Sequence, residues 1–396
     1  METVYFDNSA TTPLCDAAKN AMKTVIDGIY GNPSSKHRIG VEAHAVLKNA
    51  RMAVLGALGV RGAKEEDLIF TASGTEADNL AVIGAAHAKK ALRGGKLITS
   101  DSEHPAILKQ FAYLEGEGFR TAYIPTKNGV FDMERFRAEM TPDTFIVTVM
   151  LVNNETGAVN DIRAISDYAK SINPGCIVHT DAVQGFLKIP FTPEKLGADL
   201  VTVSSHKIHG PKGVGALYVS PLMRKRRALS PVIFGGGQEF DLRSGTENMP
   251  GIAGFGAAAE AGAKTLSSDL AHMEALRDRI EAAITAGDDP VLAQVTLNRP
   301  QSAQRAPHIV SIRLPGIKSE TMLNYLSGRD ICVSSGSACS AQSGRVSSTL
   351  MRFGLTEREA DTTLRISLSH FNTAEETDIF LKTLREGIEG LVRIRR

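Results

Sequence analysis

Short apolar runs separated by helical segments recur through the first part of the chain, and they constrain its fold more than any other feature. They are Asp67 to Thr71, Leu97 to Ser100, Thr121 to Ile124, Phe145 to Leu151, Ile177 to Asp181, Leu200 to Val203 and Ala216 to Val219. Runs of this length bounded by turn residues read as buried strands, and strands alternating with helices assemble into a mostly parallel sheet. After Pro250 the pattern changes. An alanine-rich helical stretch leads toward Asp288-Asp289-Pro290; Val291 to Leu297, Ile309 to Leu314 and Thr363 to Leu368 then read as strands, with helices near Ser319 to Leu326 and from Ala374 onward. The last helix opens on a capping box, Thr373-Ala374-Glu375-Glu376, and carries an apolar face of Phe380, Leu384, Ile388 and Leu391. The expected fold class is α/β: a large lobe over residues 15–255 with a mostly parallel seven-stranded sheet, and a smaller α+β lobe over 256–396 that residues 1–14 join. A chain of 396 residues is long enough for two such lobes.

Several strand ends carry reactive side chains. Leu200-Val201-Thr202-Val203 runs into Ser204-Ser205-His206-Lys207, followed by the turn-forming Gly210-Pro211-Lys212-Gly213. A lysine at such a strand end, beside a histidine, loses ammonium stability through burial and neighbouring charge, which suits imine formation with a carbonyl. Taken alone, it also reads as a structural lysine. Asp181 ends the preceding strand, 26 residues before Lys207, and ligands of open α/β sheets gather at the carboxyl ends of strands. An acid and an imine-forming lysine in one crevice suggest pyridoxal phosphate, whose ring nitrogen stays protonated against a carboxylate. Phe70-Thr71-Ala72-Ser73-Gly74-Thr75-Glu76 offers a strand, a turn and a helix start, where the N–H groups of Gly74 and Thr75 and the Thr75 hydroxyl suit a phosphate dianion. A plain helix cap is the alternative for that segment by itself.

In this order, the phosphate loop, ring acid and lysine resemble the fold type I pyridoxal phosphate enzymes of the class V aminotransferase group, and within it the cysteine desulfurases. The resemblance spans nearly the whole chain, through Asp7-Asn8-Ser9-Ala10-Thr11-Thr12-Pro13, Gly31-Asn32-Pro33-Ser34-Ser35, Ser102-Glu103-His104, Asn153-Asn154-Glu155-Thr156-Gly157, Arg243-Ser244-Gly245-Thr246-Glu247-Asn248 and Leu364-Arg365-Ile366-Ser367. Ser334-Ser335-Gly336-Ser337-Ala338-Cys339 is similar to the branch serving nitrogen fixation and general iron–sulfur assembly. The resemblance implies that His104 stacks on the cofactor ring and helps move protons, and that Asn154 and Gln184 lie near its 3′ oxygen. It implies that Ser204 and His206 join Gly74 and Thr75 around the phosphate. Asn154 and Arg365 are the substrate-binding residues it implies, with Arg365 gripping the carboxylate. Thr246 would reach the phosphate of a neighbouring subunit, which implies a homodimer with shared sites. No metal ligand set is expected.

Cys339 distinguishes between chemistries. An aminotransferase of this fold needs no thiol; a desulfurase needs one that attacks the substrate sulfur. From Ser334 to Ser348 the chain is small and polar, which reads as a long flexible loop. A thiol that takes sulfur at the cofactor and hands it to an acceptor protein has to visit both places. Cys15, Cys176 and Cys332, in a helix start or in strands, read instead as small buried hydrophobes. The implied reaction converts L-cysteine to L-alanine and leaves a persulfide on Cys339. The other readings are a general pyridoxal lyase or aminotransferase, a selenocysteine lyase, and a cofactor-binding protein without catalysis.

A net charge of +1 and a pI of about 7.7 give no electrostatic case for nucleic acid or a membrane surface. Arg224-Lys225-Arg226-Arg227 reads as a solvated face. Four cysteines without framework spacing argue against a cross-linked secreted protein. Neither a leader nor a membrane-length apolar run is seen, so a cytoplasmic location is expected. The chain stops at Arg396, just after the last helix, where some relatives carry a scaffold-binding tail; docking of that kind is therefore not expected.

Overall fold

The computed structural model describes residues 3–88, 94–335 and 347–393. The large sheet has seven strands in the spatial order Leu68–Thr71, Gly215–Val219, Leu200–Ser204, Ile177–Asp181, Thr144–Thr148, Lys96–Ser100 and Arg120–Ile124. Gly215–Val219 pairs antiparallel with both neighbours, while the remaining pairs are parallel. The central strands are buried along their whole length, as expected of a sheet covered by helices on both faces. Gly215 is required by close approach, since a Cβ there would lie 2.5 Å from the Ser73 carbonyl carbon. That contact seats the turn before the helix Gly74–Ala88 against the strand edge.

A second sheet, Thr296–Leu297, Ile309–Arg313 and Thr363–Ser367, is antiparallel, and the helices Ser319–Ser327 and Ala374–Arg393 also lie in this part of the chain. The N-terminal Val4–Tyr5 pairs in parallel with Ile331–Cys332, and the Phe6 ring meets Phe380 edge-on at 5.7 Å. Both rings are fully buried, each stabilising the fold by roughly 2–3 kcal/mol. Thr373 and Glu376 form the expected reciprocal cap of the last helix, with N···O distances of 2.9 and 3.1 Å. The helix Met249–Thr285 runs unbroken through both parts. Ile252, Phe255 and Ala258 belong to a core with the large sheet, whereas Met273, Leu276 and Ile280 belong to one with Phe6 and Phe380.

Three expectations are corrected. Val291 to Leu297 is mostly not a strand, because Asp289 Oδ1 accepts from the N–H groups of Val291 and Leu292, and the resulting turn leads into a 3-10 helix at Leu292–Gln294. Only Thr296–Leu297 pairs. The strand expected to reach Leu151 ends at Thr148, and the Met150 N–H turns to the Glu103 carboxyl instead. In the basic cluster, Arg224 is no solvated charge; it reaches Asp67 at 2.6 Å and Glu66 at 2.9 Å. Among the described residues, no helix is long and apolar enough to cross a membrane.

Candidate active site

Asp181 is the last residue of its strand and is buried, with Oδ1 accepting from the Val183 N–H at 2.9 Å. Burial raises its pKa, and the charges of His104 and Lys207 oppose the rise. Two more buried carboxyls lie near it. Asp78, on the helix that begins at Gly74, is raised by burial and by Asp181; Glu103 is pushed up to about 8 by burial. Neither has a cation among the causes of its shift. Close buried carboxylates do not all ionise together, and of the three Asp181 is the one whose rise the Lys207 charge opposes.

His179 stands two residues before Asp181 on the same face of the strand. Its Nδ1 is 2.5 Å from Thr148 Oγ1, and its Nε2 is 3.0 Å from Thr202 Oγ1 and 3.7 Å from Asp78. Burial pushes it down to about 3, so the folded protein holds it neutral. The unfolded chain takes up that proton near pH 6.5, so the stabilisation is complete above pH 6.5 and is lost as pH falls toward 3. Between pH 6.5 and 5 the loss is roughly 2 kcal/mol. Other buried groups also titrate in this window, so in urea unfolding at the two pH values His179→Gln is expected to lose less than the wild type by about this amount. Equal losses in both would contradict the assignment.

Lys207 closes a 3-10 turn, Ser205–Lys207, immediately after its strand. Its Nζ donates to the carbonyls of Ser9 at 2.5 Å and Ala10 at 2.7 Å. Gln184 Nε2 donates to the same Ser9 carbonyl at 2.9 Å, and its Oε1 is 3.3 Å from His308 Nε2. His206 Nδ1 is 3.2 Å from Thr11 Oγ1, and burial pushes its pKa down to about 4. The N-terminal motif thus supplies the floor beneath the lysine. His104 Nδ1 accepts from the Ala106 N–H at 3.1 Å, which leaves the proton of the neutral ring on Nε2. Burial lowers its pKa.

The residues present fit a pyridoxal phosphate. Ser204 Oγ is buried without a hydrogen-bond partner, and a Cβ at Gly74 would lie 3.4 Å from the Ser204 Cβ. A free hydroxyl donor next to the N–H groups of a helix start suits a phosphate. Thr246 is not brought to this cluster. It is exposed, in a cleft of about 440 Å³ shared with Ile26, Tyr30, Asn32 and Met249.

Arg365 is 2 % exposed. Its guanidinium donates to the Asn154 carbonyl and to Asp7 Oδ1, both at 2.9 Å, while Nε has no partner. Asn154 is thus placed beside Arg365 through its backbone. The sequence reading gave no role to Asp7, to the Ser9 and Ala10 carbonyls, or to Lys188, which is buried with its Nζ unpartnered and pushed down to about 7 by burial. Asp7, Ser9 and Ala10 were visible only as members of a motif. Cys339 lies outside the described residues, as does most of the segment read as a loop. Of its ends, Ser334 pairs with Arg365 through the backbone, and Ser348 begins a helix, Ser348–Phe353. Cys176 is buried and its thiol pushed up to about 12; Cys15 and Cys332 are half-buried.

A model of the aminotransferase class-V family matches residues 4–380. The chain is 37% identical over 388 residues to cysteine desulfurase IscS 1 of Archaeoglobus fulgidus, covering 98% of this chain and 97% of that one. It is also 37% identical to cysteine desulfurase IscS of Serratia proteamaculans, covering 98% and 93%. Among solved structures, a NifS-like protein superposes with a TM-score of 0.87 at 37% identity, covering 97% of this chain and 98% of that one. SspA in complex with cysteine superposes with a TM-score of 0.78 at 32% identity, covering 94% and 100%. Such likeness over the whole α/β architecture, with the acid and the lysine at the ends of neighbouring strands, places the chain in the aminotransferase class-V family, among its cysteine desulfurases.

Proposed function

We propose that the chain, loaded with pyridoxal phosphate, converts L-cysteine to L-alanine and passes the sulfur through Cys339 to an acceptor protein of iron–sulfur cluster or thio-cofactor biosynthesis. The observation that carries this reading is the convergence of a carbonyl-held Lys207, a buried strand-end Asp181 and a buried Arg365 with an unpartnered Nε. The cofactor, when bound, supplies an electron sink for charge that develops at the substrate Cα.

This chain's own residues do the rest. Gly74, Thr75, Ser204 and His206 would hold the phosphate, and Asp181 would hold the proton of the ring nitrogen. Asn154, Gln184 and His104 would be the residues that hold the ring. Arg365 orients the substrate through its carboxylate, for which a planar guanidinium is suited. Lys207 moves the proton at Cα as general base and then acid. Cys339 Sγ, as thiolate, attacks the substrate sulfur; the new S–S bond forms as the C–S bond breaks, and its electron pair goes to Cβ, which takes a proton to complete alanine. His104, with its proton on Nε2, stabilises the incoming thiolate by donating to it.

The domain division at residues 15–255 against 1–14 with 256–396 is part of this proposal, since the cleft lies between the large sheet and Arg365. So is a homodimer. Tyr30 and Phe234 are each 81% exposed, and Thr246, in the cleft beside Tyr30, would serve a neighbouring subunit's phosphate. A reducing compartment such as the cytoplasm suits a reaction that needs a free Cys339 thiol.

Cys339→Ser tests the nucleophile. The variant is expected to bind L-cysteine, with the associated change in cofactor absorption, but to lose alanine formation by at least about 100-fold. Undiminished alanine production would instead favour a general lyase.

A further inference from the structure

Both ends of the segment that carries Cys339 are fastened within one residue of the substrate-carboxylate pocket. At the upstream end, Arg365 N–H donates to the Ser334 carbonyl at 2.7 Å, and Ser334 N–H donates back to the Arg365 carbonyl at 3.1 Å. At the downstream end, Ser347 Oγ donates to Glu155 Oε2 at 2.5 Å, the Thr349 side chain hydrogen-bonds the same carboxyl, and Glu155 follows Asn154, whose carbonyl accepts from Arg365.

The downstream fastening is a built one. Glu155 is 3% exposed, and its backbone is fixed by an Asx turn in which the N–H groups of Glu155 and Thr156 donate to Asn153 Oδ1 at 3.0 Å. Asn153 Nδ2 in turn donates to the Ser102 carbonyl at 3.2 Å, two residues before His104. Ser347 is buried and fully engaged, because its Oγ also accepts from the Leu350 N–H at 3.2 Å and so caps the helix Ser348–Phe353. That helix is tied to the same side by Asn128 N–H, which donates to the Phe353 carbonyl at 2.9 Å. A buried carboxylate with no cation in hydrogen-bond contact is costly, and capping of so short a helix does not by itself call for one.

We propose that Glu155, acting chiefly through Ser347 and with Thr349 beside it, is a positioning residue for sulfur transfer, clasping the exit of the Cys339 segment to the carboxylate pocket. This rests on the assignment of Cys339 as sulfur acceptor. Cys339 is five residues from Ser334 and eight from Ser347, so covalent reach bounds it to about 18 Å and about 29 Å from the two anchors. Two fixed anchors raise the effective concentration of the thiol at the substrate sulfur. Releasing one lowers it without touching substrate recognition.

The test uses the pyridoxal-phosphate-loaded full chain as wild type, Ser347→Ala, Ser347→Thr and Glu155→Gln. Rapid mixing with L-cysteine follows the absorption change on binding, while quenched samples follow persulfide on Cys339 by mass. Ser347→Ala is expected to leave the binding change within about twofold and to slow persulfide formation about 10- to 100-fold. Ser347→Thr restores it, and Glu155→Gln, which keeps an acceptor, is intermediate. Persulfide formation at the wild-type rate in Ser347→Ala overturns the inference, as does parallel weakening of binding, which marks general damage. Absence of persulfide in the wild type overturns the desulfurase reading itself, and the clasp with it.

Discussion

Lys207→Ala is expected to lower alanine formation by at least about 10⁴-fold, the upper range for removing a positioned acid–base group. The lysine is placed by three independent features: the end of a fully buried strand, the 3-10 turn that aims its side chain, and two backbone carbonyls that receive Nζ. None of these is replaced by a neighbour. Lys188 is buried nearby, but its Nζ has no partner to aim it. The fold should survive, because Gln184 still donates to the Ser9 carbonyl. Each lost hydrogen bond is worth about 1 kcal/mol. The loaded variant should also lack the imine absorption band. Retention of about 1% of wild-type activity or more would show that the base lies elsewhere.

Arg365→Ala is expected to raise KM for L-cysteine by at least about 100-fold, close to the 3 kcal/mol of a charge-assisted contact. It should also lower stability by about 3 kcal/mol, because Asp7 loses its cation; the low end of the range for breaking a buried pair applies, since the Asp7 side chain is 21% exposed. Arg365→Lys keeps the charge but loses the fork, so stability should recover more than KM does. Steady-state kinetics beside urea unfolding separates the two effects. An unchanged KM would remove Arg365 from substrate binding and leave it a structural partner of Asp7 and Asn154.

The parts of the fold legible in the sequence are those written in local periodicity. The seven strands of the large sheet are apolar runs bounded by turns, and the final helix announces itself by its cap and by Phe380, Leu384 and Ile388. Where local chemistry competes with periodicity, the reading failed. Asp289 outvoted the β-branched run that follows it, and Glu103 captured the Met150 N–H that a longer strand would have used. At the site, Asp181 and Lys207 were readable because each ends or follows an apolar strand, and the two strands are neighbours in the sheet. The groups that hold them were not. Ser9 and Ala10 act through carbonyls, which every residue has, and Arg365 meets Asp7 across 358 positions of chain. Glu155 and Ser347 are likewise distant in sequence and adjacent only in the fold.

The central claim is that the substrate's sulfur passes to Cys339. Mass spectrometry of the loaded protein after brief treatment with L-cysteine, followed by peptide mapping, reads it directly. The expected result is a gain of about 32 Da, one sulfur atom, on the peptide containing Cys339, reversed by a reducing thiol and absent in Cys339→Ser. Alanine release with no added sulfur on that peptide, or an adduct on Cys15, Cys176 or Cys332 instead, would contradict it.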